Sequence, residues 1–221
     1  MEESIEILGA LRTLGFARVV ATPHMRPGMF DNTAATLRSA FEQFKLKIQD
    51  DESLPKVELS CEHFFDDVVF RTLMDQRGLP YPGGLALLLE FYTSDFPLTI
   101  DHRLADLRRR GYLPVIAHPE RYEPLWKRPE ILERLLDLGC VALLDIAALT
   151  GRYGRKAQTC SRELLDRGLY LAACSDAHRV NDVQATGRSI DWLCREYGDE
   201  EVQNLFVSGP MAILQGQSGR L

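Results

Sequence analysis

Six side chains stand where apolar runs of this chain come to an end. "VVATPH" finishes on His24, "LSCEH" carries Glu62, "LALLLEF" carries Glu90, "PVIAHPER" ends the run on His118, and "LAACSDAH" supplies Asp176 and His178. Imidazole nitrogen with carboxylate oxygen is a ligand mix that zinc, manganese and iron all accept. One strand-end His or Glu is usually a hydrogen-bonded loop residue. Recurrence over several apolar runs is what points to a shared coordination shell. Asp176 and His178, two apart, are expected on one face of an extended segment. By the same alternation His63 turns away from Glu62 and reads as structural, and His102, in the helical pattern "TIDHRLADL", reads as a packing or surface residue.

Arginines accompany these candidates. Arg121 follows His118 by three, Arg26 follows His24 by two, and Arg179 directly follows His178. Forked guanidinium donors at such a place suit a phosphate or carboxylate on a substrate, or else a salt bridge to a neighbouring carboxylate. Two other chemistries fail on counting. Cys174 precedes Arg179 by five positions, one short of a thiol-phosphatase loop, and the intervening residues lack the glycines that turn amides inward. No G-x-S-x-G elbow and no G-x-x-x-x-G-K loop is present.

Positioning these residues falls to a repeated grammar. "ILGALRTLGFARVVATPH", "RLADLRRRGYLPVIAHPE", "ILERLLDLGCVALLDIAA" and "SRELLDRGLYLAACSDAH" each give an amphipathic helix, a glycine and a short apolar run. The glycine reads as the left-handed residue just past a helix end. Near-continuous apolar runs suit parallel strands covered on both faces. "VELSCEHFF" and "LALLLEFY" read as two further strands, giving an α/β fold in which strand carboxyl ends converge on one mouth. An open sheet and a closed barrel both satisfy this pattern.

The totals narrow the class. A chain of 221 residues can bury a sizeable core and reads as a single domain, residues 1–221. Its net charge of −6 argues against a nucleic-acid surface. No apolar stretch has the length of a membrane span, and "MEESIEILGA" lacks the basic start of a secretory signal. Cys61, Cys140, Cys160, Cys174 and Cys194, with no C-x-x-C pair, suit reduced thiols in the cytoplasm.

The stretches "ATPHMRPGMF", "LSCEHFF", "LLLEF", "PVIAHPERY", "DIAALTGRYG" and "CSDAH" resemble the polymerase-and-histidinol-phosphatase (PHP) superfamily. Within it they are most similar to the manganese-dependent bacterial protein-tyrosine phosphatases of the CpsB/CapC/YwqE type, tied to capsule and exopolysaccharide synthesis. The likeness runs to the closing "NLFVSGPMAIL". It implies a distorted seven-stranded, TIM-like (β/α) barrel with up to three ions, Mn²⁺ or alternatively Fe or Zn, at its mouth. By resemblance Glu62, Glu90 and His118 hold one ion, with Glu62 bridging to the next. Asp176 serves the second, His24 and His178 serve the third, and Arg121 is a catalytic, phosphate-facing arginine. The implied reaction is phosphotyrosine hydrolysis by metal-activated hydroxide. The implied substrate is a flexible protein tail, with a tyrosine kinase of polysaccharide export as the partner.

Departures from that pattern qualify the expectation. The family begins with a strand carrying His-x-His and then an Asp, whereas Met1 here falls at the start of the first helix. That strand and its three ligands are therefore expected to be absent, with fewer ions held. Position 145 is Asp where relatives tend to have Asn. Two alternatives accompany the phosphatase reading: a small-molecule phosphoesterase of the histidinol-phosphatase type, and a catalytically impaired binding module.

Overall fold

In a computed structural model that describes residues 2–218, helix and strand alternate along the chain. The order is α1 (Glu2–Thr13), β1 (Arg18–Ala21), β2 (His24–Met25), α2 (Ala34–Ile48), β3 (Lys56–Leu59), β4 (Glu62–Phe64), α3 (Asp67–Met74), β5 (Ala86–Glu90) and α4 (Ile100–Arg109). There follow β6 (Leu113–Ala117), α5 (Glu130–Asp137), β7 (Val141–Asp145), α6 (Gly154–Asp166), β8 (Ala172–Cys174), α7 (Val180–Tyr197), α8 (Asp199–Gln203) and α9 (Gly209–Leu214).

The helix, glycine, strand grammar has a common hydrogen-bonding basis. Gly15, Gly111, Gly139 and Gly168 all have positive φ. After α4, Tyr112 N–H donates to Leu107 O at 3.1 Å and Gly111 N–H to Arg108 O at 2.9 Å. This paired closure satisfies the last helix carbonyls and turns the chain straight into the next strand. The same two bonds recur after α1, α5 and α6. The repeat thus fixes where each strand starts, and therefore where it ends.

All strand pairs are parallel. β2-β4-β5-β6-β7-β8 form one six-stranded sheet, and β1 pairs with β3 in a separate two-stranded one. Two of the expected strands are therefore each broken in two. "VVATPH" is interrupted at Thr22 and Pro23, and "VELSCEHFF" at Ser60 and Cys61. Proline cannot donate to a ladder, and here it marks the bend. Ser60 N–H to Ala21 O at 2.8 Å and Glu62 N–H to Pro23 O at 3.1 Å carry the pairing across it.

Both sheet faces are buried, as the continuous apolar runs require. Leu87, Leu89, Ile116, Ala142 and Leu144 face the helix-covered core. Their neighbours Ala86, Leu88, Val115, Val141 and Leu143 face a second cluster with Tyr81 and Ile213. The closing segment packs so tightly that a Cβ on Gly209 would lie 1.8 Å from Leu171 O, so only glycine fits. Among the described residues β1 pairs only with β3 and β8 only with β7, leaving one edge of each unpaired. Between those edges runs a groove of about 520 Å³, lined by Val19, Val20, Tyr81, Ala172, Cys174 and Ile213 among others.

His63 on β4 is fully buried and bonded at both ring nitrogens. Leu79 N–H donates to Nε2 at 3.1 Å, so the proton sits on Nδ1, which donates to Leu88 O at 3.0 Å. Burial pushes its pKa down from 6.5 to about 4. Between those values the unfolded chain binds a proton that the folded one refuses, so stability rises with pH there. The contribution is fully present above pH 6.5 and is lost as pH falls towards about 4. A lowering of this size corresponds to roughly 3 kcal/mol. Urea unfolding across that range should show a shallower pH slope for His63→Gln than for the unsubstituted chain; equal slopes would place the acid sensitivity elsewhere.

Candidate metal centre

The parallel ladder carries the site residues to one end of the sheet. His24 opens β2 and lies in register with Glu62, which opens β4; Glu90 ends β5 opposite Phe64. His118 follows β6 directly and has φ +31°, while Asp176, two residues past β8, has φ +42°. Such left-handed backbone is uncommon for side-chain-bearing residues and persists only where the surroundings enforce it. It also corrects one expectation: Asp176 and His178 do not owe their placement to strand alternation, because β8 has already ended at Cys174.

Four of the candidates make one knot around Glu62. His24 Nδ1 lies 2.9 Å from Glu62 Oε2 and 3.7 Å from Glu90 Oε2. His118 Nε2 lies 3.0 Å from Glu62 Oε1 and 3.9 Å from Glu90 Oε1. One ligand atom each from His24, Glu62 and Glu90 falls within 4.8 Å of the others. The remaining two stand beside the knot. The His178 ring stacks on His24 at 5.9 Å, and its Nδ1 is 2.9 Å from Asp176 O. Asp176 Oδ2 is engaged by Arg121 Nη1 at 2.9 Å.

Electrostatics explain how this knot is held together and what an ion would change. Burial alone would raise the Glu62 carboxyl, but hydrogen bonds from His118 and His24 overcome it and hold the group well below its usual range. Those bonds raise the pKa of both histidines, and in His118 they do so against its own burial. Glu90 is raised, by burial first and then by the charge of Glu62. Among the described residues the buried Nδ1 of His118 has no hydrogen-bond partner. Crowded carboxylates faced by neutralisable imidazoles are what a divalent cation relieves, so the residues fit one.

Arg121 sits at the wall of the same mouth. Its Nη1 is 3.5 Å from Asp145 Oδ2, and its guanidinium carbon lies 4.7 Å from the Tyr153 ring centre. Both readings of this arginine therefore have a basis: it is ion-paired, and it remains at the mouth. Behind it, Glu120 accepts from Asp145 N–H at 3.0 Å and from the Tyr170 hydroxyl at 3.0 Å. Burial, followed by the charge of Asp145, pushes Glu120 up to about 7. Asp145, Tyr153 and Glu120 were not among the sequence candidates. Asp145 ends an apolar run like the others, and that signal could have included it.

Arg26 and Arg179 differ. Arg26 stacks 3.9 Å above the Phe64 ring at the rim of the mouth. Arg179 caps α7 through its backbone N–H, 3.0 Å from Asp182 Oδ2, and its exposed side chain makes no ion pair among the described residues. The structure brings Arg26 to the site and gives Arg179 no contact there.

A parallel α/β protein with a histidine–carboxylate cluster at the strand ends is the class that fold and site define. Residues 1–215 match the profile of the family described as capsular polysaccharide synthesis, CpsB/CapC. The chain belongs to that family. It is 30% identical over 204 residues to the tyrosine-protein phosphatase YwqE of Bacillus subtilis (strain 168), covering 90% of this chain and 78% of the relative. Identity to the tyrosine-protein phosphatase CpsB of Streptococcus pneumoniae is 23% over 222 residues, 98% of this chain and 91% of the relative. Its structure superposes on a chain from the crystal structures of YwqE and CpsB, described there as unique metal-dependent tyrosine phosphatases. The TM-score is 0.86 at 26% identity, covering 98% of this chain and 87% of the other.

Because Glu62 bonds both histidines, removing its charge should disable the cluster at its centre. Calorimetric titration of Glu62→Gln with Mn²⁺ should show affinity weakened by about 100-fold or more. In the unsubstituted chain affinity should climb with pH, because the ion displaces the proton whose pKa Glu62 raises on His24. Equal affinity of the two proteins would remove this cluster as the cation site.

Proposed function

We propose that this chain is a metal-dependent protein-tyrosine phosphatase of capsular or exopolysaccharide regulation. The observation that carries the reading is the His24, Glu62, Glu90 and His118 knot beside Arg121, at the strand ends of a CpsB/CapC family member. His24, Glu62, Glu90 and His118, with Asp176 and His178 beside them, would hold the ions. Mn²⁺ is our choice, with Fe or Zn as alternatives of the same ligand preference. Fewer than the family's three ions are favoured for these residues, which carry no match to its His-x-His.

Divalent ions bound there would supply the Lewis acidity that activates water and offsets phosphoryl charge. The chain's own groups do the rest. Arg121, fixed by Asp176 and Asp145, turns its remaining N–H donors to the phosphoryl oxygens and stabilises their charge during in-line displacement. A tyrosine leaving group has a pKa of about 10, low enough to depart with little help from a side-chain acid. Residues 1–221 act as one unit in this reading. The substrate is a phosphotyrosine-bearing tail, for which a bacterial tyrosine kinase of polysaccharide export is the proposed source. Five free cysteines support a reducing compartment, the cytoplasm. No helix among the described residues is long and apolar enough to cross a membrane.

We further propose that the sheet closes as a seven-stranded barrel around one strand outside these 221 residues. The groove between the unpaired edges of β1 and β8 supports this, being apolar and flanked on both sides by strand backbone. Such a strand would end at the mouth beside His24 and His178, where the family's His-x-His would add ligands.

Phosphotyrosine-peptide hydrolysis should require added Mn²⁺, cease with a chelator, and fall about 100-fold in kcat for Arg121→Ala. A chain extended at its N-terminus should bind more Mn²⁺ and melt at a higher temperature than the 221-residue one. Hydrolysis indifferent to both chelation and Arg121 would sink the phosphatase assignment, and equal melting and metal content would sink the added strand.

A further inference from the structure

Exposed apolar side chains gather on one side of the mouth. Met29 is 61% exposed, Phe30 44% and Tyr92 54%, on the loops that follow β2 and β5. Rings held open to water beside a polar cluster are an unusual use of aromatic residues, and such patches mark binding surfaces.

These rings are held rigidly. Phe30 stacks on His24 with centroids 5.1 Å apart and planes 20° apart, so one imidazole separates it from Glu62. Its loop is clamped by a pair of backbone bonds, Arg26 N–H to Phe30 O at 3.0 Å and Phe30 N–H to Arg26 O at 2.7 Å. Asn32 Nδ2 ties the loop to His24 O at 2.8 Å. Tyr92 meets Phe64 edge-on at 4.6 Å. The Arg26 guanidinium links the two sides, 3.9 Å from the Phe64 ring centre and 5.6 Å from that of Tyr92. Arg26 forms no ion pair among the described residues, so its role in this rim is to hold the rings.

We propose that Phe30 and Tyr92, braced by Arg26, form an aryl-selective subsite that takes the phenyl ring of a phosphotyrosine and sets the preference for aryl over alkyl phosphates. This rests on the phosphatase reading of the adjoining cluster. A phosphoryl group at the cluster leaves its ester oxygen and ring pointing outward, and the first apolar surface beside His24 is Phe30. An aryl group buries apolar area there and gains the offset or edge contacts that aromatic pairs favour. A short alkyl phosphate fills none of it. The rim thereby separates a phosphotyrosine phosphatase from a small-molecule phosphoesterase.

Binding tests this without turnover. The full chain with Mn²⁺ is titrated calorimetrically with two non-hydrolysable probes, a peptide amide containing phosphonomethyl-phenylalanine and propylphosphonate. The unsubstituted chain should favour the aryl probe by about tenfold or more. Tyr92→Ala and Phe30→Ala should each reduce that ratio several-fold, the double variant should bring it near unity, and Phe30→Tyr should retain it. No aryl preference in the unsubstituted chain, no binding of the aryl probe, or an unchanged ratio in the double variant would overturn the subsite. If a Phe30→Ala chain does not fold, Tyr92→Ala with Phe30→Tyr decides the matter. Hydrolysis of phosphotyrosine peptide with an unchanged ratio removes the rim alone; aryl preference without any hydrolysis removes the phosphatase reading alone.

Discussion

Like charge packed into a small buried volume is the constraint on which the rest of this molecule depends. Glu62 opens β4, Glu90 and Asp145 end β5 and β7, and Asp176 lies two residues past β8, with Glu120 behind them. Left alone, neighbouring carboxylates in a low dielectric cannot all ionise. Each has a different answer. Glu62 is bonded by two imidazoles, Asp176 is paired with Arg121, and Glu90 and Glu120 are pushed towards their neutral forms. The left-handed backbone at His118 and Asp176 belongs to the same arrangement, since it turns these two side chains to meet their partners.

Such a concentration of charge needs a rigid support, and the parallel sheet supplies it by burying both faces. Alternate residues of β5, β6 and β7 enter separate apolar clusters, one on each face of the sheet. A one-residue slip of any strand would exchange the two sets and withdraw its terminal residue from the mouth. The glycine-closed helix ends set each strand's starting point, so register is fixed from the chain itself at four places. The groove beside β8 is where this support is weakest, because two strand edges there lack ladder partners among the described residues.

Much of this was legible in the sequence, for a physical reason. Helix period, closing glycine and apolar run are local signals, and the strand ends they define place His24, Glu62, Glu90 and His118 together without any knowledge of contacts. What escaped depends on contacts across the fold. Pro23 breaks a run that reads as continuous, and its partner strand breaks with it at Ser60 and Cys61. Asp145 ends its strand as the others do, but its importance comes from Arg121, which lies on another strand's loop. Tyr153 follows a glycine turn with no periodic signal at all, and only the fold sets its ring beside Arg121. Asp176 and His178 were singled out by type and stand beside the knot, while strand alternation was the wrong reason for their placement.

The charge at the mouth also acts on the nucleophilic side chains beside it. Cys174 lies two residues before Asp176, and desolvation followed by the charges of Asp176 and Asp145 raises its pKa far above the ordinary value. A reactive thiol requires the reverse surroundings, positive and able to stabilise thiolate. Tyr153 is raised as well, by burial first and then by Asp145. The carboxylates that raise these two groups are the same ones that suit a cation. Carboxylates and imidazoles gathered there suit a cation that would activate water, and around Cys174 the sequence has no thiol-phosphatase loop spacing.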